Sequence, residues 1–286
     1  MMRDHLVFAV MVAIAAPAAS QANPMDVFGF GARGMAMGNA ATAVADDGSA
    51  NYYNPAGLAL ADDLQINIGY LRTFTNLRLN ERDMEVDENN GIMASVNIPG
   101  DIGPVRLAFG LGLFLPDARV SRVRALPQYQ PRFVMLDNRT QRIFISANLA
   151  VRPIPELTIG GGLSFVTHMA GGVAVDGTLF PEPERALLRT AVDVDFKTVR
   201  APAAGVTVTP LPWLRLGVVY RGEVKVQLDV EAAVSGEIKE LLGTQTLAGS
   251  FQVSSFNTNL FSPQQVFFGA AFWPLPETTL SLDLGW

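Results

Sequence analysis

From Gln65 onward, apolar and polar residues take turns along the chain, and this period of two constrains the fold more than any other feature. In QINIGY, Ile66, Ile68 and Tyr70 alternate with Gln65, Asn67 and Gly69. In VRLAFGLGLFL, Val105, Leu107, Phe109, Leu111 and Leu113 stand against Arg106, Ala108, Gly110 and Gly112. RIFISANLAV sets Ile143, Ile145, Ala147 and Leu149 against Arg142, Ser146 and Asn148, and AVDVDF and KVQLDV continue the pattern at 191–196 and 225–230. Successive strand side chains point to opposite faces, so these segments are strands with one apolar face. A soluble sandwich and a barrel in lipid both use such strands, and the choice falls to the connections.

Pro-x-Pro recurs at Pro153, Pro210 and Pro274, each time between two alternating runs and roughly sixty residues apart. Proline ends a hydrogen-bond ladder because it has a fixed φ and no N–H, so each motif predicts a tight turn on one side of a sheet. Each interval then holds an outgoing strand, a long connection and a returning strand. Short turns on one side and long loops on the other are the outer-membrane barrel arrangement. Trp213 beside one turn and Phe272 and Trp273 beside another suit an aromatic girdle at the membrane boundary. With Ile98–Pro104 as an earlier turn, nine strands are predicted near 65–78, 91–98, 105–115, 139–151, 156–168, 191–209, 213–231, 251–272 and 277–286. Bacterial single-chain barrels have even strand numbers, so the chain reads as incomplete beyond Trp286. The rival reading makes LSLDLGW a closing strand.

Composition narrows the partners. The 286 residues carry a net charge of -6, with scattered Lys and Arg, which gives no basic footprint for nucleic acid. There is no cysteine, hence no disulfide, thiolate metal site or thiol nucleophile. The opening MMRDHLVFAVMVAIAAPAASQANPMD has a basic head, an apolar stretch too short to span a bilayer and a small-residue cleavage pattern, which predicts a signal peptide over residues 1–22. A segment over 23–63 without strand alternation and a barrel over 64–286 follow.

The segment GARGMAMGNAATAVADDGSANYYNPAGL, Gly31 to Leu58, resembles the start of the outer-membrane long-chain fatty acid transporter family, the FadL-like proteins. PLPETTLSLDLGW near the C-terminus also looks like the family's. The resemblance implies an all-β fold, a transmembrane antiparallel β-barrel of 14 strands in the family, about nine of them present here, with the N-terminal segment as a plug inside the lumen. It implies passive uptake of hydrophobic small molecules, fatty acids or aromatic hydrocarbons, by a monomer in outer-membrane lipid, with no cofactor and no enzyme activity. Gly29, Gly31, Gly34, Asn54 and Pro55 are then plug residues. A kink in the third strand, for which Gly110 and Gly112 are candidates, opens a lateral gap in the family, and close contact of these glycines with the plug is the alternative. Apolar outer loops form a capture groove in the family, which points to Leu179, Phe180, Leu187, Leu188, Ile238, Leu241 and Leu242, the last three on an expected short amphipathic helix.

Inward charges avoid lipid, where an Arg or Lys costs about 2 to 4 kcal/mol at the midplane. Arg106, Arg142 and Arg215 are candidates for a substrate carboxylate, unless they and Asp193, Asp195, Lys197 and Asp229 pair among themselves. GFGARG at Gly29–Gly34 spells a dinucleotide fingerprint, but no strand precedes it, so its glycines read as backbone passing close to a wall. His168 and Ser164 share a strand face roughly 13 Å apart, too far for a catalytic pair. A scaffold barrel that binds protein partners and a lipid-acting barrel enzyme remain the other function classes.

Overall fold

The computed structural model describes residues 24–74, 76–83, 88–117, 143–179, 187–241 and 245–286. The leader, Arg142, Phe180 and Leu242 lie outside them. The strands are β1 (Gln65–Leu71), β2 (Arg78–Leu79), β3 (Arg82–Asp83), β4 (Gly91–Ile102), β5 (Val105–Pro116), β6 (Phe144–Ile154), β7 (Leu157–Leu179), β8 (Leu187–Leu211), β9 (Leu214–Arg221), β10 (Val224–Leu241), β11 (Gln245–Ser262), β12 (Gln265–Leu275) and β13 (Thr278–Gly285). One antiparallel path runs β1-β4-β5-β6-β7-β8-β9-β12-β13, which is nine strands across. Among the described residues its edges are β1 and β13.

Each Pro-x-Pro becomes a two-residue turn with a bulge before it. Val151 pairs with Ile159 and Ile154 with Leu157, so Arg152 and Pro153 together face Thr158. The same skip separates Val208 from Leu211 and Phe272 from Leu275. Pro153, Pro210 and Pro274 sit in the bulges, where no ladder N–H is needed, and Pro155, Pro212 and Pro276 open the turns. Trp213 and Phe272 pack edge to face at 5.5 Å on the outer rim. Trp273, expected beside them in the girdle, instead packs against the buried core.

Two expected strands divide. The 213–231 run breaks at Gly222–Glu223 and the 251–272 run at Pro263–Gln264, giving β9 and β10, and β11 and β12. Pro263 cannot donate to a ladder. A Cβ on Gly222 would lie 2.6 Å from the Pro202 ring, so a side chain there collides with β8. The expected amphipathic helix is also absent: Ile238 and Leu241 belong to β10 and pair with Leu247 and Gln245 of β11. A helix of two turns is marginal without support, and the hairpin ladder wins.

The two sheet faces differ as the alternation requires. Ile66, Ile68, Leu107, Phe109, Leu111, Ile145, Leu149, Leu216 and Leu282 are exposed on the outside. Ala108, Gly110, Gly112, Ser146, Asn148 and Ala150 are buried on the inside. An aqueous surface does not carry an apolar band of that extent, whereas the lipid-facing wall of a barrel does. The core lies on the inner face, between the wall and the N-terminal segment. There Phe30, Tyr52 and Phe144 meet at centroid distances of 5.8, 6.4 and 5.7 Å.

Candidate functional site

The N-terminal segment fills the concave side of the sheet as short helices, Pro24–Phe28, Ala32–Ala36 and Ala50–Tyr53, followed by a 3-10 turn over Pro55–Leu60. Helices this short depend on tertiary support. Gly29 and Gly31 have φ of 91° and 81°, which L side chains rarely adopt, and a Cβ on Gly34 would strike the Tyr53 ring at 2.4 Å. GFGARG is therefore plug backbone.

Buried amides fasten the plug to the wall. Asn54 is fully buried; its Oδ1 accepts from Ala56 N–H at 3.1 Å, and its Nδ2 donates to Thr42 O at 2.9 Å and to Thr207 Oγ1 on β8 at 3.0 Å. Pro55 follows at the first turn position, which has no use for an N–H. Asn148 of β6 donates to the Asn51 backbone oxygen at 3.1 Å and to Asn51 Oδ1 at 3.0 Å. Asn51 in turn reaches Leu111 O of β5 at 3.2 Å, and Asn97 of β4 donates to Leu58 O at 3.0 Å. On the far side, Asp283 of β13 accepts from Thr42 N–H at 2.8 Å.

Between these anchors the wall is made of glycine. An added Cβ would come within 2.4 Å of Asn51 Oδ1 at Gly110, 2.4 Å of Pro55 C at Gly160, 2.0 Å of Asn54 Oδ1 at Gly205 and 2.6 Å of Thr42 O at Gly217. Gly112 faces Asn51 in the same way, at 3.1 Å. The ladder passes Gly110 and Gly112 without a register shift on either side, Asn97↔Gly110↔Asn148 and Ser95↔Gly112↔Ser146. Here the two glycines give room to the plug.

The arginines are engaged. Arg106 bonds Asp62 at 2.6 Å, Asp101 at 3.1 Å and Ala61 O at 3.1 Å, at the lower end of the plug. Arg215 meets Asp46 at 3.3 Å and lies 5.0 Å from the Trp273 ring; Arg33 holds the same carboxylate at 2.5 Å. Both candidates thus pair with carboxylates other than those singled out in the sequence, those of Asp46, Asp62 and Asp101. Sequence reasoning missed Arg221, the last residue of β9. It reaches Asp26 at 3.3 Å and lies over the rings of Tyr52 at 4.4 Å and Phe267 at 4.8 Å. Tyr52 also hydrogen-bonds Asp26. Arg221 Nε is buried without a hydrogen-bond partner. Its only sequence signal is an inward cation beside a glycine.

Burial raises the Asp26 carboxyl above its ordinary range, against the opposing pull of Arg221 and the Tyr52 hydrogen bond. Tyr52 is pushed well up and Tyr53 to about 12, again chiefly by burial. Asp26 therefore holds Arg221 with a carboxylate that burial disfavours. Around the pair is a cavity of about 40 Å³, walled by Phe144, Val166, Ala201 and Val224. It has room for a few waters and no acyl chain. A larger space of about 580 Å³ lies between Phe30, Met35, Tyr70 and Met93 beside β1.

At the other end of the sheet, the expected capture residues meet through the ladders. Leu179 pairs with Ile238, and Leu187 and Leu188 pair with Thr178 and Gly177. Leu241 follows at the tip of β10.

Residues 8–266 match a family model described as outer membrane protein transport protein (OMPP1/FadL/TodX). Among solved structures, a TodX variant described as a monoaromatic hydrocarbon channel superposes with a TM-score of 0.50 at 13% identity, covering 90% of this chain and 69% of that one. The CymD monoaromatic hydrocarbon channel gives 0.48 at 15% identity, over 91% and 69%. The Ralstonia pickettii toluene transporter TbuX gives 0.47 at 14% identity, over 91% and 72%. None of the curated proteins matches the chain.

Proposed function

This chain belongs to the outer membrane protein transport protein family (OMPP1/FadL/TodX), and from that premise we propose that it takes up hydrophobic compounds, foremost long-chain fatty acids, by passive diffusion through a plugged barrel. The observation that carries the fatty acid reading is Arg221, a part-buried cation whose buried Nε has no hydrogen-bond partner, set among Phe144, Val166, Ala201 and Val224 at the plug surface. Arg106, Arg215 and Arg221 all meet plug carboxylates, and Arg215 also has an unpartnered Nε, so what sets Arg221 apart is the apolar-walled cavity that it lines. Apolar residues at the outer ends of β7, β8 and β10, Leu179, Leu187, Leu188, Ile238 and Leu241, make first contact, together with Phe180 and Leu242. The chain then moves inward, each buried methylene adding about 0.8 kcal/mol. The carboxylate displaces Asp26 from Arg221, and the plug shifts to let the ligand pass. Monoaromatic hydrocarbons are the second class, favoured by the Phe30, Tyr52 and Phe144 cluster.

Arg221→Met separates the two. Oleate binding to the purified protein is expected to fall about tenfold, because a hydrogen bond to a charged group is worth about 1.5 to 3 kcal/mol, while toluene binding stays unchanged. Equal losses for both ligands would remove the carboxylate role, and unchanged oleate binding would do so as well.

A further inference from the structure

We infer that the β10–β11 hairpin is a hinged lid over the lumen. Its attachment to the wall is interrupted on both strands at the same level. The β9–β12 ladder ends at Arg221↔Gln265 and the β10–β11 ladder begins at Val224↔Ser262, with Gly222–Glu223 and Pro263–Gln264 between them. The two short links pair with neither ladder and are held among the described residues by Gly222 N–H donating to Pro202 O of β8 at 2.8 Å and Tyr220 OH donating to Gln264 Oε1 at 3.3 Å; links with so few bonds are where a hinge absorbs a change in φ and ψ.

Beyond the hinge the hairpin does not continue beside β8. β10 crosses to the opposite edge of β7 and pairs with it in parallel, from Val230↔Gly171 to Ile238↔Leu179. Among the described residues that edge is open to it, because the β6–β7 ladder reaches only to Phe144↔Val166. The two attachments differ in strength. Within the hairpin, β10 and β11 pair antiparallel along nearly their whole length, so the hairpin moves as one body. The seam to β7 is parallel, which is slightly weaker per residue. It also holds three glycines on β7, Gly171, Gly172 and Gly177 against Val230, Glu231 and Gly236, beside larger pairs such as Val175↔Val234, and the glycines have no side chain to pack across it. Among the described residues, Ser235 Oγ donates across it to Asp176 Oδ1 at 2.7 Å, and both residues are exposed. The seam is therefore the part that opens.

The hinge also forms part of the inner site. Gly222, Val224, Ser262 and Gln265 line the same small cavity as Arg221, Asp26 and Tyr52. Movement about the hinge changes the ceiling of that cavity, so an open seam admits a ligand that the closed cavity excludes. The gating consequence rests on the uptake reading; the motion itself does not.

The chain has no cysteine, so introduced thiols report without background. Asp176 and Ser235 are register partners on neighbouring strands, about 4.8 Å apart and within disulfide reach. In the Asp176→Cys/Ser235→Cys variant, oxidation is expected to cut oleate uptake into liposomes about tenfold, because the competent state becomes rare, and reduction restores it. Uptake unaffected by oxidation overturns the gate. Spin labels at the same two positions, read in lipid nanodiscs, are expected to give a short and a long distance population. A single short distance overturns the lid whatever the uptake result. A protein that shows both populations and takes up no oleate in either redox state keeps the lid and rejects the uptake reading.

Discussion

Gly160→Val is expected to drive the plug off the wall and open the barrel to hydrophilic solutes. A Cβ at Gly160 would lie 2.4 Å from Pro55 C and 2.5 Å from Ala56 N, both backbone atoms of the plug. Backbone cannot turn aside as the end of a side chain does, and Pro55 has little freedom because its ring fixes φ. Overpacking a tight core costs about 1 to 3 kcal/mol, and a clash with two backbone atoms belongs at or above the top of that range. The helices of the plug are too short to hold themselves together, so displacement there releases the segment as a unit. Entry of a large hydrophilic antibiotic into cells and protease cleavage within residues 24–63 would both rise. Gly100→Val is the control, since nothing lies within 4 Å of its added Cβ. If Gly160→Val stays as closed and protected as Gly100→Val, the close-contact account of the glycine wall fails.

Asn54→Ala is expected to loosen the same segment by a different route. The side chain is fully buried and serves Ala56 N–H, Thr42 O and Thr207 Oγ1 together. Truncation orphans all three, and a buried unsatisfied group costs about 1 to 3 kcal/mol. A total near 3 kcal/mol is expected, because Thr207 can turn its hydroxyl elsewhere. Thr207→Val alone is expected to cost about 1 kcal/mol, and the double variant less than the sum, since one bond is counted in both. Urea titration with a fluorophore on the plug measures all three variants. Additive losses would show that Asn54 and Thr207 do not act as a pair.

Much of this architecture is legible in local residue pattern. Period two identifies the strands because a half-lipid, half-lumen wall leaves no freedom in which face is apolar. Pro-x-Pro marks the turns because proline lacks the donor a ladder needs, and the paired prolines divide the work between a bulge and a turn. The plug segment stands out through glycines at positive φ and through Asn54–Pro55, whose cap chemistry is local. What depends on distant partners does not show. Asn97 and Asn148 look like any polar residue on an inward face, and only the folded chain brings them to Leu58 and Asn51. Arg221 gives no sign of Asp26, far away in sequence. Nor does Gly222 show that the Pro202 ring of β8 occupies the place where its side chain would be. Ile238 and Leu241 have helical spacing, yet β11 pairs with β10 up to Ile238 and again at Leu241, and an unsupported helix of two turns cannot compete.

The outer wall meets lipid while the inner wall meets the plug. Spin labels placed singly from Val105 to Leu115 on β5, in a bilayer, test it through collision with oxygen, which partitions into lipid. The account predicts a period of two, with high oxygen exposure at 107, 109 and 111 and low exposure at 108, 110 and 112. Uniformly low exposure along β5, in a protein that stays monomeric in water without detergent, would contradict it.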